Sequence, residues 1–256
     1  SINQMIFLMM AAHDTSTITT AAVAYFLAKN PEWQDRLRAE SDRLGDDLSD
    51  IEDLEGLTAM DLVIKESLRL VAPVPLVMRK AVTDTLIDGY YVPSGVLVVI
   101  TPAVNHFAPT VSTEPDRFDP TRLEPPRRED QAHRFAWLPF GGGAHKRIGM
   151  HFGTLEVKAI LHEMLREFTW SLDDGYRVRW DNTSLPVPCR RPTYYVVSPM
   201  ISRSFHETFE CLAEHIALTG RRRNRRSPPS GLGDPQQTPA NRSRQTYANC
   251  RKGWSC

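Results

Sequence analysis

Residues 3–29 are apolar on nearly every helical face, a pattern that predicts one long helix buried all round. Asn30-Pro31 restarts the chain, since Asn30 suits a helix cap and Pro31 the first helical position. The helix that follows, to about Leu44, is amphipathic, and Leu57–Leu70 predicts another that Pro73 and Pro75 stop. Strand-like runs come next at Thr85–Val92 and Val96–Thr101, with Pro93-Ser94-Gly95 as the turn between them. Pro102–Gly149 is loop-rich. Helix resumes over Gly149–Phe168, with apolar positions at Leu155, Ile160, Leu161, Met164 and Leu165, and short strands fit Thr169–Leu172 and Tyr176–Trp180. The expected fold is mainly α with small β-sheets, an α+β arrangement without repeats.

Composition changes this picture in one place. Of the 256 residues 41% are hydrophobic and 24% charged, enough to build a sizeable globular core. The net charge of zero is a cancellation: Cys189–Cys256 holds twelve basic and four acidic residues, and 1–188 holds nineteen basic and twenty-seven acidic. All four cysteines, Cys189, Cys211, Cys250 and Cys256, fall in the same basic stretch. The chain is therefore expected to divide into a folded domain, 1–188, and a basic tail, 189–256, that is disordered or read out of frame. Residues 221–256, poor in aliphatic side chains, cannot bury enough apolar surface to offset the entropy of ordering. The run Arg221–Arg226 could meet the phosphates of nucleic acid, but a solvated tail is the stronger reading, because nothing in 1–188 supports nucleic-acid binding. The cysteines lack metal-site spacing and point to a reducing, cytoplasmic compartment. Met5–Ala12 is too short to span a membrane, and no secretory signal pattern is present.

Four motifs carry candidate chemistry. Ala12-His13-Asp14-Thr15-Ser16 places an acid and two hydroxyls in mid-helix, where hydroxyls bond back to the carbonyl four residues earlier and can bend the helix. An acid–alcohol pair there could relay protons, although a polar surface stripe has the same pattern. Glu66 and Arg69 are spaced to share a helix face, as ordinary surface pairs are. Pro115-Asp116-Arg117-Phe118 adds a second arginine, and one carboxylate between two guanidiniums can be stable when buried. Phe140–Gly149 holds three successive glycines between an aromatic residue and a helix, the outline of a loop wrapped around something large and flat. It lacks the Lys-Ser/Thr ending of a phosphate-binding P-loop.

In order and separation, the set resembles the cytochromes P450, haem-thiolate monooxygenases, over roughly residues 1–188. The resemblance implies the C-terminal half of that fold, with haem b (iron) as cofactor. It also implies an apolar small-molecule substrate and an electron-donor partner, a ferredoxin or a reductase. Asp14 and Thr15 match the family's proton-delivering acid–alcohol pair, and Ala12 stands where glycine is more usual. Glu66 and Arg69 match its E-x-x-R, with Arg117 as the arginine that completes a buried triad. The resemblance further implies a haem-binding loop to which Phe140, Gly141 and Gly149 belong, Phe140 matching the residue that packs near the family's ligand sulfur and His145 the residue that binds a propionate. Arg79 resembles the strand arginine that binds a propionate, and Gly153 a small residue that lets the next helix lie against the haem.

Three departures bear on activity. The family pattern F-x-x-G-x-H/R-x-C-x-G puts the iron-binding cysteine where Arg147 stands. A thiolate pushes electron density onto iron, whereas a guanidinium stays cationic and has no usable lone pair. A single base change converts a cysteine codon to an arginine codon. His145 and His151 are the imidazoles near enough in sequence to substitute. The resemblance also begins inside the family's central helix and fades at Pro188. Three readings follow: a P450-type monooxygenase fragment inactive as written, a non-catalytic remnant of a decayed gene, and a nucleic-acid-binding protein acting through its tail. Large apolar faces are expected to stand open, making the isolated chain poorly soluble or molten.

Overall fold

The computed structural model describes residues 2–45, 50–182, 185–190 and 192–197. Helix α1 (Ile2–Lys29) runs 28 residues, about 42 Å at 1.5 Å per residue. Helices α2 (Pro31–Leu44) and α4 (Thr58–Leu70) follow, with the short α3 (Ile51–Glu55) between them. Helix α6 (Met150–Glu167) closes the bundle. Strand β5 (Thr169–Leu172) leaves its end and packs back on α1. The core lies where α1, α2, α4 and α6 meet, at Leu27, Leu37, Met60, Ile64, Leu161 and Leu165, all fully buried.

The expectation that α1 is buried along its whole length holds for one half only. Val23 and Leu27 are in the core, but Ile2, Met5, Phe7 and Met10 face outward, Phe7 being 70% exposed. Burial needs covering neighbours, and the apolar side chains of the first turns lack that cover among the described residues.

Sequence-distant polar contacts lock the bundle. The Gln34 amide donates to Trp170 O (3.0 Å) and accepts from Trp170 N (3.2 Å), completing β5's backbone pairing from a helix side chain. Trp170 Nε1 donates to Ala24 O at 2.9 Å. Arg38 donates to Leu165 O (2.9 Å) and Phe168 O (3.1 Å), satisfying carbonyls at the C-terminal end of α6. Asn30 was expected to cap α2. Its Nδ2 instead donates to Phe26 O at 2.7 Å and closes α1, while Pro31 does open α2.

Among the described residues the strands form four separate antiparallel pairs. The run 85–92 is a hairpin rather than one strand: β2 (Thr85–Ile87) pairs with β3 (Tyr90–Val92) around Asp88-Gly89, both at positive φ. An Asp-Gly pair suits this turn because its backbone twist matches that of the flanking strands. Strand β4 (Leu97–Ile100) pairs with β1 (Val77–Lys80), so Pro93-Ser94-Gly95 joins strands of different sheets. Of Tyr176–Trp180 only its last residue enters a strand: β6 (Trp180–Asp181) pairs with β7 (Val187–Pro188). Strand β8 (Tyr194–Val197) pairs with β5, carrying the sheet past the expected boundary at 188. The aromatic and β-branched run Tyr194-Tyr195-Val196-Val197 is strand-prone, but the break in charge and cysteine content beside it hid that signal. The segments 221–256 and Arg221–Arg226 lie outside the described residues.

Candidate active site

Between β4 and α6 the chain is irregular, with α5 (Pro102–His106) and 3-10 turns at Pro120–Leu123, Glu129–Gln131 and Gly143–His145. Glu66 organises this stretch. Arg69 holds both carboxylate oxygens, Nε to Oε2 at 2.8 Å and Nη2 to Oε1 at 2.9 Å. The second guanidinium is that of Arg122, whose Nε donates to Glu66 Oε1 at 3.0 Å. Arg122 is 0% exposed and also pairs with Glu129 at 2.7 Å. Burial alone would push the Glu129 carboxyl up, but hydrogen bonds from Arg122 and Arg127 outweigh it and hold the group below the ordinary range.

Arg117 was expected in that place. Its side chain is 67% exposed and pairs with Glu114. It contributes its carbonyl oxygen instead, which accepts from Arg122 Nη2 (3.0 Å) and Arg69 Nη2 (3.2 Å). The reason is local: the 3-10 turn Pro120–Leu123, capped by Asp119 onto Thr121 N, carries Arg122 inward.

His106 joins this network to the glycine-rich loop. Nδ1 meets Arg69 O at 3.1 Å, and Nε2 accepts from Leu138 N at 2.8 Å. A backbone N–H can only donate, so Nε2 is bare and Nδ1 carries the proton. Burial pushes this imidazole down to about 4.

The loop places Gly141 and Gly143 at positive φ, as its glycine content implies. Arg147 N donates to Phe140 O at 2.9 Å and closes it. Phe140 packs toward the main core and Trp137, at 6.0 Å between ring centroids, while Trp137 Nε1 donates to Lys65 O. The Arg147 side chain is half-buried, and its Nη1 donates to Pro139 O at 2.7 Å. Burial, and after it repulsion from Arg79, lowers this guanidinium below its usual value. His145 is exposed, and His151 Nε2 sits 3.1 Å from Glu55 Oε1 on α3. Both partners of that contact are exposed, so His151 faces Glu55 at the surface.

On α1 the expected back-bonding is present and extended. Thr15 Oγ1 donates to Ala11 O (2.8 Å) and Ala12 O (3.2 Å), and Thr17, Thr19 and Thr20 donate to carbonyls one turn back. Asp14 meets His13 Nδ1 at 3.2 Å. Ser16 Oγ donates to Glu156 Oε2 at 2.6 Å, fastening the polar turn of α1 to α6.

Glu156, Arg122 and His106 are the residues the sequence reading passed over. For Arg122 the available signal was Pro120, a residue suited to opening a turn, whereas a lone Glu on a helix and a lone His in a loop-rich stretch carried none.

The family description Cytochrome P450 matches residues 2–196. The chain belongs to the cytochrome P450 family. The relative named "Putative cytochrome P450 136" of Mycobacterium tuberculosis is 53% identical over 188 residues, 73% of this chain and 38% of its own length. A sterol 14alpha-demethylase of Mycolicibacterium vanbaalenii is 35% identical over 192 residues, 73% of this chain and 42% of its own length. The crystal structure of the cytochrome P450DA heme domain superposes with a TM-score of 0.68 at 28% identity, covering 77% of this chain and 44% of that one. This P450-family chain thus spans about two fifths of the length of the relatives it matches. Among the described residues no helix is long and apolar enough to cross a membrane.

The family implies a haem iron, and the residues fit that group unevenly. Gly149 has ordinary backbone torsions (φ −75), and added Cβ atoms at Gly149 and Gly153 would meet nothing within 4 Å. Neither packing nor torsion therefore requires glycine there, and the pair leaves a flat ledge one helical turn long. Beside it Phe152 is 68% and Ile148 93% exposed. The ledge suits a flat ring. The axial position does not fit the iron, because the Arg147 guanidinium offers no lone pair.

Proposed function

We propose that this chain is the haem-side portion of a cytochrome P450-type monooxygenase, a fold that inserts one oxygen atom from O2 into an apolar small molecule, and that it is inactive as written. The observation that carries the reading is Arg147 at the axial-ligand position, its guanidinium donating to Pro139 O at 2.7 Å. A cation without a lone pair cannot supply the electron density that a thiolate supplies. Haem b as the family's cofactor, a ferredoxin or reductase as electron donor, and a cytoplasmic location belong to the same reading. Within it, Arg79 and His145 offer cationic or polar groups to carboxylates at the edge of a ring. Asp14 and Thr15 on α1 would supply the acid–alcohol pair for proton delivery, and Glu66, Arg69 and Arg122 would hold the loop. The reading as a non-catalytic remnant rests on the same arginine.

The test is the absorption spectrum of the full chain reconstituted with haem, reduced and exposed to CO. The chain as written is expected to show no thiolate-type band, and Arg147→Cys is expected to gain one. A thiolate-type band, or substrate hydroxylation, from the unaltered chain would overturn the reading.

A further inference from the structure

We propose that a cavity on the glycine-rich loop binds an anion with a flat aromatic body. The cavity measures about 370 Å³, inside the range of small-molecule sites, ~300–1,000 Å³. Phe135, Trp137, Leu138 and Phe140 form its walls, together with the backbone of Gly141, Gly142 and Gly143. The charged side chains that line it are Arg134 and Lys146. It shares Phe140 and Gly141 with the haem-binding loop, but its lining includes none of Arg79, His145, Arg147, Gly149 and Gly153. It is therefore a separate site on the same loop.

Three observations carry the inference. The walls are fixed by hydrogen bonds before any ligand arrives. Leu138 N donates to His106 Nε2 at 2.8 Å, Trp137 Nε1 to Lys65 O at 3.0 Å, and Gly141 N to Leu138 O at 3.0 Å. Binding to such a preorganised cavity loses little to ordering. The second observation is Gly142. Its φ of −147 is extended backbone open to any residue, yet an added Cβ would meet Leu138 Cδ2 and Phe135 Cε1, each at 3.3 Å. Close approach to two wall residues, and not torsion, thus favours glycine there.

The third observation is charge. Arg36, Arg117 and Arg127 each pair with a carboxylate at the surface. Among the described residues Arg134 and Lys146 pair with none, and no acidic residue lines the cavity. Arg134 lies over Phe135 instead, with Cζ 4.3 Å from the ring centroid, a contact that uses none of its N–H donors. The two cations are exposed and the four wall side chains half-buried, so a cationic rim stands over aromatic walls. A small inorganic anion would meet the rim and leave the walls wet. An uncharged ring would cover the walls and leave the rim unanswered. An aromatic carboxylate answers both, with its ring against Phe and Trp faces and its oxygens toward the cations.

The test is a calorimetric titration of the full chain with naphthoate, with naphthamide as the uncharged counterpart and acetate as the anion without a ring. Naphthoate is expected to bind about tenfold more tightly than naphthamide, the change that one charge-assisted hydrogen bond supplies, and more tightly still relative to acetate. Arg134→Gln and Lys146→Gln should each reduce the preference for naphthoate over naphthamide, and the double variant should abolish it. Both side chains are exposed, so the fold should survive these changes. Arg117→Gln removes an equal charge from an exposed pair outside the cavity and should leave the preference intact. Equal affinity for naphthoate and naphthamide, acetate binding as tightly as naphthoate, or a preference that survives the double variant would overturn the proposal.

Discussion

Two arginines within one loop-rich region, Arg122 and Arg147, meet opposite conditions. Arg122 is wholly buried and surrounded by Glu66, Glu129 and the carbonyls of Thr113, Glu114 and Arg117. Arg147 is half-buried and, among the described residues, its guanidinium donates to one carbonyl, that of Pro139. The first is a structural cation whose charge the fold answers. The second is a cation that meets a neutral carbonyl. The contrast teaches that burial of charge here is a matter of supplied partners, since an unanswered buried charge costs several kcal/mol.

The largest expected effect would break the first half of the comparison. Glu66→Gln strips both Arg69 and Arg122 of their shared carboxylate, and denaturant titration should show a loss of about 3–5 kcal/mol. Glu114→Gln, which removes the exposed partner of Arg117, should cost less than about 1 kcal/mol. Equal losses would mean that the Glu66 cluster is no more than a surface ion pair.

A smaller effect probes the link between the two regions. His106 touches Arg69 O on one side and Leu138 N, at the head of the glycine-rich loop, on the other. Burial, opposed by the Arg69 hydrogen bond, holds its imidazole down at about 4, against about 6.5 in an unfolded chain. Between those values the unfolded chain binds more protons. The contribution is therefore fully present above about pH 6.5 and declines by about 3 kcal/mol as the pH falls toward 4. Melting measured from pH 7 to 4 should show this slope in the native chain and not in His106→Asn.

The smallest effect sharpens the second half. Gly153 lies within α6 with open space where a side chain would go. Gly153→Ala should raise the stability of the chain alone by about 1 kcal/mol, the helix-propensity difference. A loss instead would show that glycine serves the fold itself.

Much of the architecture was legible along the chain. The boundaries of α2, α4 and α6 follow from apolar periodicity and from prolines at the expected places. The back-bonding of Thr15 and the positive-φ glycines of the loop follow from side-chain chemistry alone. The E-x-x-R spacing gave Glu66 and Arg69 because residues three apart on a helix must be neighbours. Arg117 was misplaced because its position depends on the turn after Glu114, at φ 48, and on the 3-10 segment that swings Arg122 inward. The strand pairing of 85–101 was misread because two turns, Asp88-Gly89 and Pro93-Ser94-Gly95, both look like hairpin connections, and only the fold assigns partners.

By itself the amino-acid order determined the four long helices, though not the short α3 and α5, together with the ordered motifs of the family and the absence of a lone pair at position 147. These are properties of neighbours along the chain or of single side chains. Tertiary structure decided that Arg122 completes the triad, that Ser16 is fastened to Glu156, that His151 faces Glu55, and that the first turns of α1 lie open. Each of these depends on where a distant backbone segment comes to rest. A contact between remote residues is set by the packing of whole elements, which no local pattern encodes.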